Sequence, residues 1–116
     1  MSCDSDYQYG VWVKNSTNED LTLAYKTSTD ERGEVEEQIT LKAGENKRII
    51  WTTNLDFGEG RTGTLATHCS RVAEYVRATK SDGTPSNVEW CSDKVRFEKT
   101  DLGQAEFMIE YKPENF

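Results

Sequence analysis

The chain has 116 residues, enough for one domain that buries roughly two-thirds of the surface its unfolded form exposes. Its net charge of −7 makes it a poor partner for nucleic acid, whose phosphates call for a basic surface. No apolar run approaches the roughly 18 residues of a membrane-spanning segment.

The apolar supply is thin. Leu, Ile, Val and Phe total 21 residues, close to the share of about 20% below which disorder becomes a serious reading. Twelve aromatic residues and a regular alternation of apolar positions point instead to an ordered, strand-rich chain.

Residues 1–6 are polar and read as a tether, which leaves residues 7–116 as a single domain. From Tyr7 to Lys14 the pattern alternates, with Tyr7, Tyr9, Val11 and Val13 on one face and Gln8, Gly10, Trp12 and Lys14 on the other. After the polar turn Asn15–Asp20, Leu21, Leu23 and Tyr25 alternate with Thr22, Ala24 and Lys26, so these two strands are expected to form a hairpin. Asn15-Ser16-Thr17 matches the N-glycosylation pattern, but a solvated turn is the simpler reading.

Ser28–Gly33 is a charged loop. In the following Glu34-Val35-Glu36-Glu37, adjacent side chains of a strand diverge, so only Glu34 and Glu36 can converge. A solvated edge that discourages aggregation accounts for them better than a carboxylate site. Gln38–Thr53 then reads as a hairpin near the middle of the chain. Ile39 and Leu41 face one way, Ala43-Gly44-Glu45-Asn46 supplies the turn, and Ile49 and Trp51 share the core face of the return strand.

Gly58-Glu59-Gly60-Arg61-Thr62-Gly63 matches G-x-G-x-x-G. The segments before it alternate like antiparallel strands, and Glu59 would set negative charge against a pyrophosphate, so a corner loop is the preferred reading. Residues 64–76 carry apolar positions at helical spacing, yet a strand is expected from about Glu74, with an irregular or short helical segment before it. Ser81-Asp82-Gly83 marks a turn, Val88 and Trp90 continue as a strand, and Val95 and Phe97 form another. The closing strand alternates most cleanly: Ala105, Phe107, Ile109 and Tyr111 face one way and Glu106, Met108 and Glu110 the other, until Pro113 ends it. About seven short strands separated by turns predict an all-β fold, an antiparallel β-sandwich of immunoglobulin-like architecture.

Three cysteines differ in kind. Cys3 lies in the polar tether, whereas Cys69 and Cys91 lie deep in the chain, where an oxidising compartment would let them pair. Such a disulfide closes a loop of about 23 residues and is worth roughly 3 kcal/mol. Met1-Ser2-Cys3-Asp4-Ser5-Asp6 resembles a bacterial lipoprotein at its processing site, in particular the surface lipoproteins of the Bacteroidetes group, with Met1 in place of a removed signal peptide. The resemblance covers six residues. It implies a lipid on Cys3 as the sole membrane attachment, and an exported protein of the outer membrane, cell surface or periplasm.

Nothing in the pattern suggests catalysis, and no cofactor is expected. His68 is the single histidine, and beside Cys69 on an extended segment it diverges from its neighbour, so a zinc site or a Cys-His nucleophile is disfavoured. Trp51 and Trp90 are expected in the core. Trp12, opposite Val11 and Val13 in phase, is the candidate ligand platform, since an exposed indole stacks on a sugar ring. The sequence therefore points to a non-catalytic, envelope-associated binding or accessory module for an unknown protein or glycan. The alternative is a structural or assembly subunit that pairs with a larger protein through a sheet edge.

Overall fold

Residues 6–27, 36–55, 69, 72–99 and 104–116 are described by the structure, a computed structural model. Among them are seven strands: β1 (Asp6–Asn15), β2 (Leu21–Thr27), β3 (Glu36–Leu41), β4 (Asn46–Leu55), β5 (Ala73–Lys80), β6 (Arg96–Lys99) and β7 (Gln104–Tyr111). A single 3-10 turn, Pro113–Asn115, follows. The strands form a four-stranded sheet in the order β4-β1-β7-β6 and a three-stranded sheet in the order β3-β2-β5. All pairings are antiparallel except β1 with β7. The all-β sandwich expected from the sequence is therefore present. Its division into four and three strands is immunoglobulin-like in architecture, while the strand order differs from that of an immunoglobulin domain.

Alternation builds the core. Tyr9, Val11 and Val13 from β1, Leu21, Leu23 and Tyr25 from β2, and Ala105, Phe107, Ile109 and Tyr111 from β7 are all buried in one cluster. Leu41 of β3, with Val76 and Ala78 of β5, closes it from the three-stranded sheet. Phe107 is an aromatic centre, with ring centroids 4.9 Å from Phe97 and 5.2 Å from Trp90. Burial drives the Tyr111 phenol well above its ordinary pKa, and its hydroxyl has no hydrogen-bond partner among the described residues. Burial, with the Glu37 carboxylate 2.7 Å away, pushes the Tyr25 phenol up to about 12.

Both expected hairpins are corrected. β1 does not pair with β2, nor β3 with β4; each connection carries the chain from one sheet to the other. The turn residues behave locally as the sequence suggests, since Gly44 has a φ of 80° and the Glu45 N–H donates to the Lys42 carbonyl at 2.9 Å. The strands are separated by Asn15, which is 0% exposed and serves both connections. Its N–H donates to the Glu45 carbonyl and its carbonyl accepts from the Gly44 N–H, each at 2.8 Å. Its side-chain amide donates to the carbonyls of Glu19 at 2.8 Å and Leu41 at 2.9 Å, and its Oδ1 accepts from the backbone and hydroxyl of Thr17. With the side chain buried and bonded in this way, Asn15 is not available to a glycan in the folded chain.

The phase of β4 is also corrected. Ile50 is 5% exposed and belongs to the core, while Trp51, expected inside, is 42% exposed. The cause is a β-bulge. Val11 faces Ile50 but the next residue, Trp12, faces Arg48, so Ile49 is an extra residue in β4. One inserted residue exchanges the two faces of everything beyond it.

The segment between β5 and β6 is a further departure, because Val88 and Trp90 do not continue as a strand. Consecutive turns link Glu89 to Ser92 and Ser92 to Val95, and Val88 and Val95 are buried as the chain crosses between sheets. The Trp90 indole N–H donates to the Ala73 carbonyl at 2.8 Å. Cys69 and Cys91 are disulfide-linked, with Cα atoms 5.7 Å apart. Strand β5 begins where expected, and Cys69 and Val72 before it have helical backbone. The first strand takes in Asp6, the last residue of the expected tether, while residues 1–5 with Cys3, as well as Glu34, the Gly58–Gly63 loop and His68, lie outside the described residues.

Two stability predictions follow from this packing. Ile109→Ala removes a buried side chain and leaves a cavity, at a cost of roughly 2–5 kcal/mol, whereas Met108→Ala on the opposite face costs much less. Urea melts of the pair test the phase of β7, and a larger loss for Met108→Ala would invert the assigned faces. Asn15→Ala takes the side-chain partner from the Leu41 carbonyl and from the Thr17 N–H and is expected to cost about 3 kcal/mol or more. Ser16→Ala, which loses a hydroxyl bond to Glu110, is the mild control in the same melts.

Candidate aromatic face of the four-stranded sheet

Directly paired residues share a face, so the strand register lays out the outer surface of the four-stranded sheet in rows. One row reads Trp51, Gly10, Glu106 and Glu98 across β4, β1, β7 and β6. The next reads Arg48, Trp12, Met108 and Arg96 in the same strand order. Arg48 and Trp51 are three residues apart in β4 and would point to opposite faces of a regular strand. The bulge at Ile49 puts both outside, in adjacent rows.

These groups touch. The Arg48 guanidinium carbon lies 4.5 Å from the Trp51 ring centroid and 5.7 Å from that of Trp12, so one cation spans two indoles. The Trp12 indole N–H donates to Glu106 Oε1 at 2.5 Å, which fixes the ring and engages that carboxylate. Gly10 has a specific role: a Cβ there would lie 3.1 Å from Trp51 Cε3 and 3.3 Å from Glu106 Oε1. Its lack of a side chain allows the Trp51 indole to lie across β1. On the other side of Trp12 an open groove of about 800 Å³ runs along the sheet, lined by Lys14, Arg96, Glu106, Met108 and Lys112 among others. Arg96 in that groove is committed, with Nη2 3.1 Å from Met108 Sδ and Nε 3.4 Å from Glu98 Oε2.

The outer face of the three-stranded sheet is different in kind. There Tyr75 donates its hydroxyl to Glu36, Lys26 pairs with Glu74 at 3.1 Å, and Arg77 stacks 4.2 Å from the Tyr75 ring centroid. The Glu36 carboxylate beside the Tyr75 hydroxyl raises that phenol above its ordinary pKa. The named acids of this face are paired, while Arg77 rests on a single ring.

Of the residues singled out from the sequence, Trp12 lies on the outer face in the phase expected, half-buried among its neighbours. Cys69 and Cys91 form a structural crosslink away from this face. Trp51 and Arg48 are the residues that sequence reasoning missed. Two signals pointed to them: a glycine inside a strand, which often marks a close approach, and the apolar doublet Ile49-Ile50, which breaks strict alternation. Among the described residues, no group of three or more His, Cys, Asp or Glu side chains is placed to hold a metal ion, and no helix is long and apolar enough to cross a membrane. Comparison with known proteins finds no matching family model and no matching curated sequence.

The role of Gly10 is testable by Gly10→Val. The branched side chain has to displace the Trp51 indole, at a cost of roughly 1–3 kcal/mol, and the near-UV circular dichroism of the tryptophans should change. An unaltered near-UV spectrum would mean that Trp51 does not rest on Gly10.

Proposed function

We propose that the chain is a non-catalytic binding module whose ligand surface is the outer face of the β4-β1-β7-β6 sheet, and that its ligand is a glycan. The observation that carries the reading is the pair of outward tryptophans, Trp12 and Trp51, joined by Arg48 on a rigid sheet. A flat, partly apolar plate flanked by fixed polar groups suits a sugar ring, which has an apolar face and a hydroxylated rim. The groove beside Trp12 offers room for further sugar units. Cys3, followed by acidic residues, supports attachment of this module to a bacterial envelope through a lipid, with the binding face carried on the folded domain beyond the tether.

A glycan array, followed by titration of intrinsic tryptophan fluorescence, tests the proposal. The wild-type protein should bind at least one glycan class with quenching or a spectral shift, and Trp51→Ala and Trp12→Ala should each weaken binding by tenfold or more, on the order of the stacking energy of one aromatic plane. Binding that survives both substitutions would place the ligand elsewhere.

One observation favours a second reading. β4 is a ten-residue strand at the edge of its sheet, and its Asn46–Arg48 end is exposed. Such an edge can accept a strand from a larger protein, which is the assembly role. A stable co-purifying partner lost on insertion of a proline into β4, with no glycan bound, would favour it.

A further inference from the structure

Resting on the glycan reading, we infer that the face selects acidic sugars: a uronate whose ring stacks beside Trp51 and whose carboxylate is held by Arg48. The inference comes from what Arg48 leaves unused. Its guanidinium faces the two indole rings, and it makes no ion pair or hydrogen bond among the described residues. A guanidinium stacked by its plane keeps its in-plane N–H donors free, in a fork that matches a carboxylate.

Its surroundings sharpen the choice. Arg96 in the same row is neutralised by Glu98. Glu106, across Gly10 from Trp51, already accepts the Trp12 indole N–H. Arg48 is thus the cation of this face that is both aromatic-stacked and unpaired among the described residues, and its stacking orders it before any ligand arrives. Preordering lowers the entropy cost of gripping an anion. A neutral sugar placed there would cover the guanidinium without supplying an acceptor of matching charge, which desolvates it for no return.

The same face limits how much negative charge is welcome. Glu98, Glu106, Glu110 and Glu114 line the groove beyond Trp12 together with Lys14, Lys94, Arg96 and Lys112, so it has no surplus of cations, and the whole chain carries −7. A densely sulfated polymer would find no cationic surplus there and would meet the repulsion of the acidic chain as a whole. One carboxylate per sugar, placed at the Arg48 end and followed by hydroxyls toward Glu106 and Lys14, satisfies both conditions.

Isothermal titration calorimetry of the wild-type chain with oligogalacturonate and oligomannuronate, each beside its neutral carboxyl-methyl ester, tests this without any variant. A uronate should bind roughly tenfold or more tightly than its ester, the worth of a charge-assisted hydrogen-bonded pair. Arg48→Gln should erase that preference and Arg48→Lys should restore only part of it, since an ammonium lacks the fork. Ester bound as well as acid, with loss on Trp51→Ala, would overturn the uronate inference and leave the glycan reading standing. Neither uronate binding, while a neutral glycan on the array does, overturns the inference alone. No glycan binding at all overturns both.

Discussion

The bulge at Ile49 is the constraint on which both faces of the four-stranded sheet depend. Before it, Arg48 stands opposite Trp12 on the outside; after it, Ile50 stands opposite Val11 on the inside and Trp51 opposite Gly10 on the outside. Were β4 to run through Ile49 without the bulge, Ile50 would turn to solvent and Trp51 would be driven into a core already filled by Tyr9, Phe107 and Tyr111. Interiors packed to crystal-like density do not absorb an indole without displacing neighbours. The same backbone irregularity therefore completes the core and assembles the aromatic face. Ile49, half-buried at the bulge, still packs on the edge of the core cluster.

Asn15 plays the matching part at the end of the sandwich. Two chain crossings meet there, Ser16–Asp20 from β1 to β2 and Lys42–Glu45 from β3 to β4, and both are hydrogen-bonded to this one residue. The adjoining Ser16 N–H donates to the Tyr111 carbonyl at 2.8 Å, which ties in the last strand as well. A buried polar side chain is costly unless its bonds are made. Here they are made, and they hold apart strands that the turn residues alone would allow to pair.

Periodicity made much of this legible, and it failed where one residue broke the period. β7 reads from its sequence without error because Ala105, Phe107, Ile109 and Tyr111 alternate strictly and all four are buried. β1 and β2 follow the same rule. β4 carries the alternation 49, 51 in its side-chain types, and the doublet Ile49-Ile50 marks an irregularity without saying which residue is surplus; the partner strand decides that. Hairpin against crossing was equally out of reach, since Gly44 and its neighbours make the same tight turn in either case and the difference lies in what Asn15, far back in the chain, bonds to. Val88 and Trp90 look like strand residues because they are apolar and spaced by two, yet their burial comes from plugging the crossing between sheets. Of the aromatic face, Trp12 was visible by phase, while Trp51 and Arg48 were hidden by the bulge.

The placement of Trp51 runs against the needs of the fold. With only 21 Leu, Ile, Val and Phe residues, the chain has little apolar surface to spend, and its largest type of side chain sits 42% exposed. Burying a large apolar side chain is worth roughly 1.5–3 kcal/mol, so a sequence shaped by stability alone would turn this indole inward or replace it. Instead three separate features keep it outside: the bulge sets its direction, Gly10 gives it a bed, and Arg48 stands against its ring without an acid to neutralise the charge. Each of the three weakens local strand structure or leaves a group unanswered. On the opposite face of the molecule, Tyr75 bonds Glu36 and Lys26 pairs with Glu74, and Arg77 rests on a single phenol ring and not between two indoles. Two outward indoles bridged by one cation are an arrangement the core does not call for, and we propose that a ligand with an apolar plane and one negative charge accounts for it.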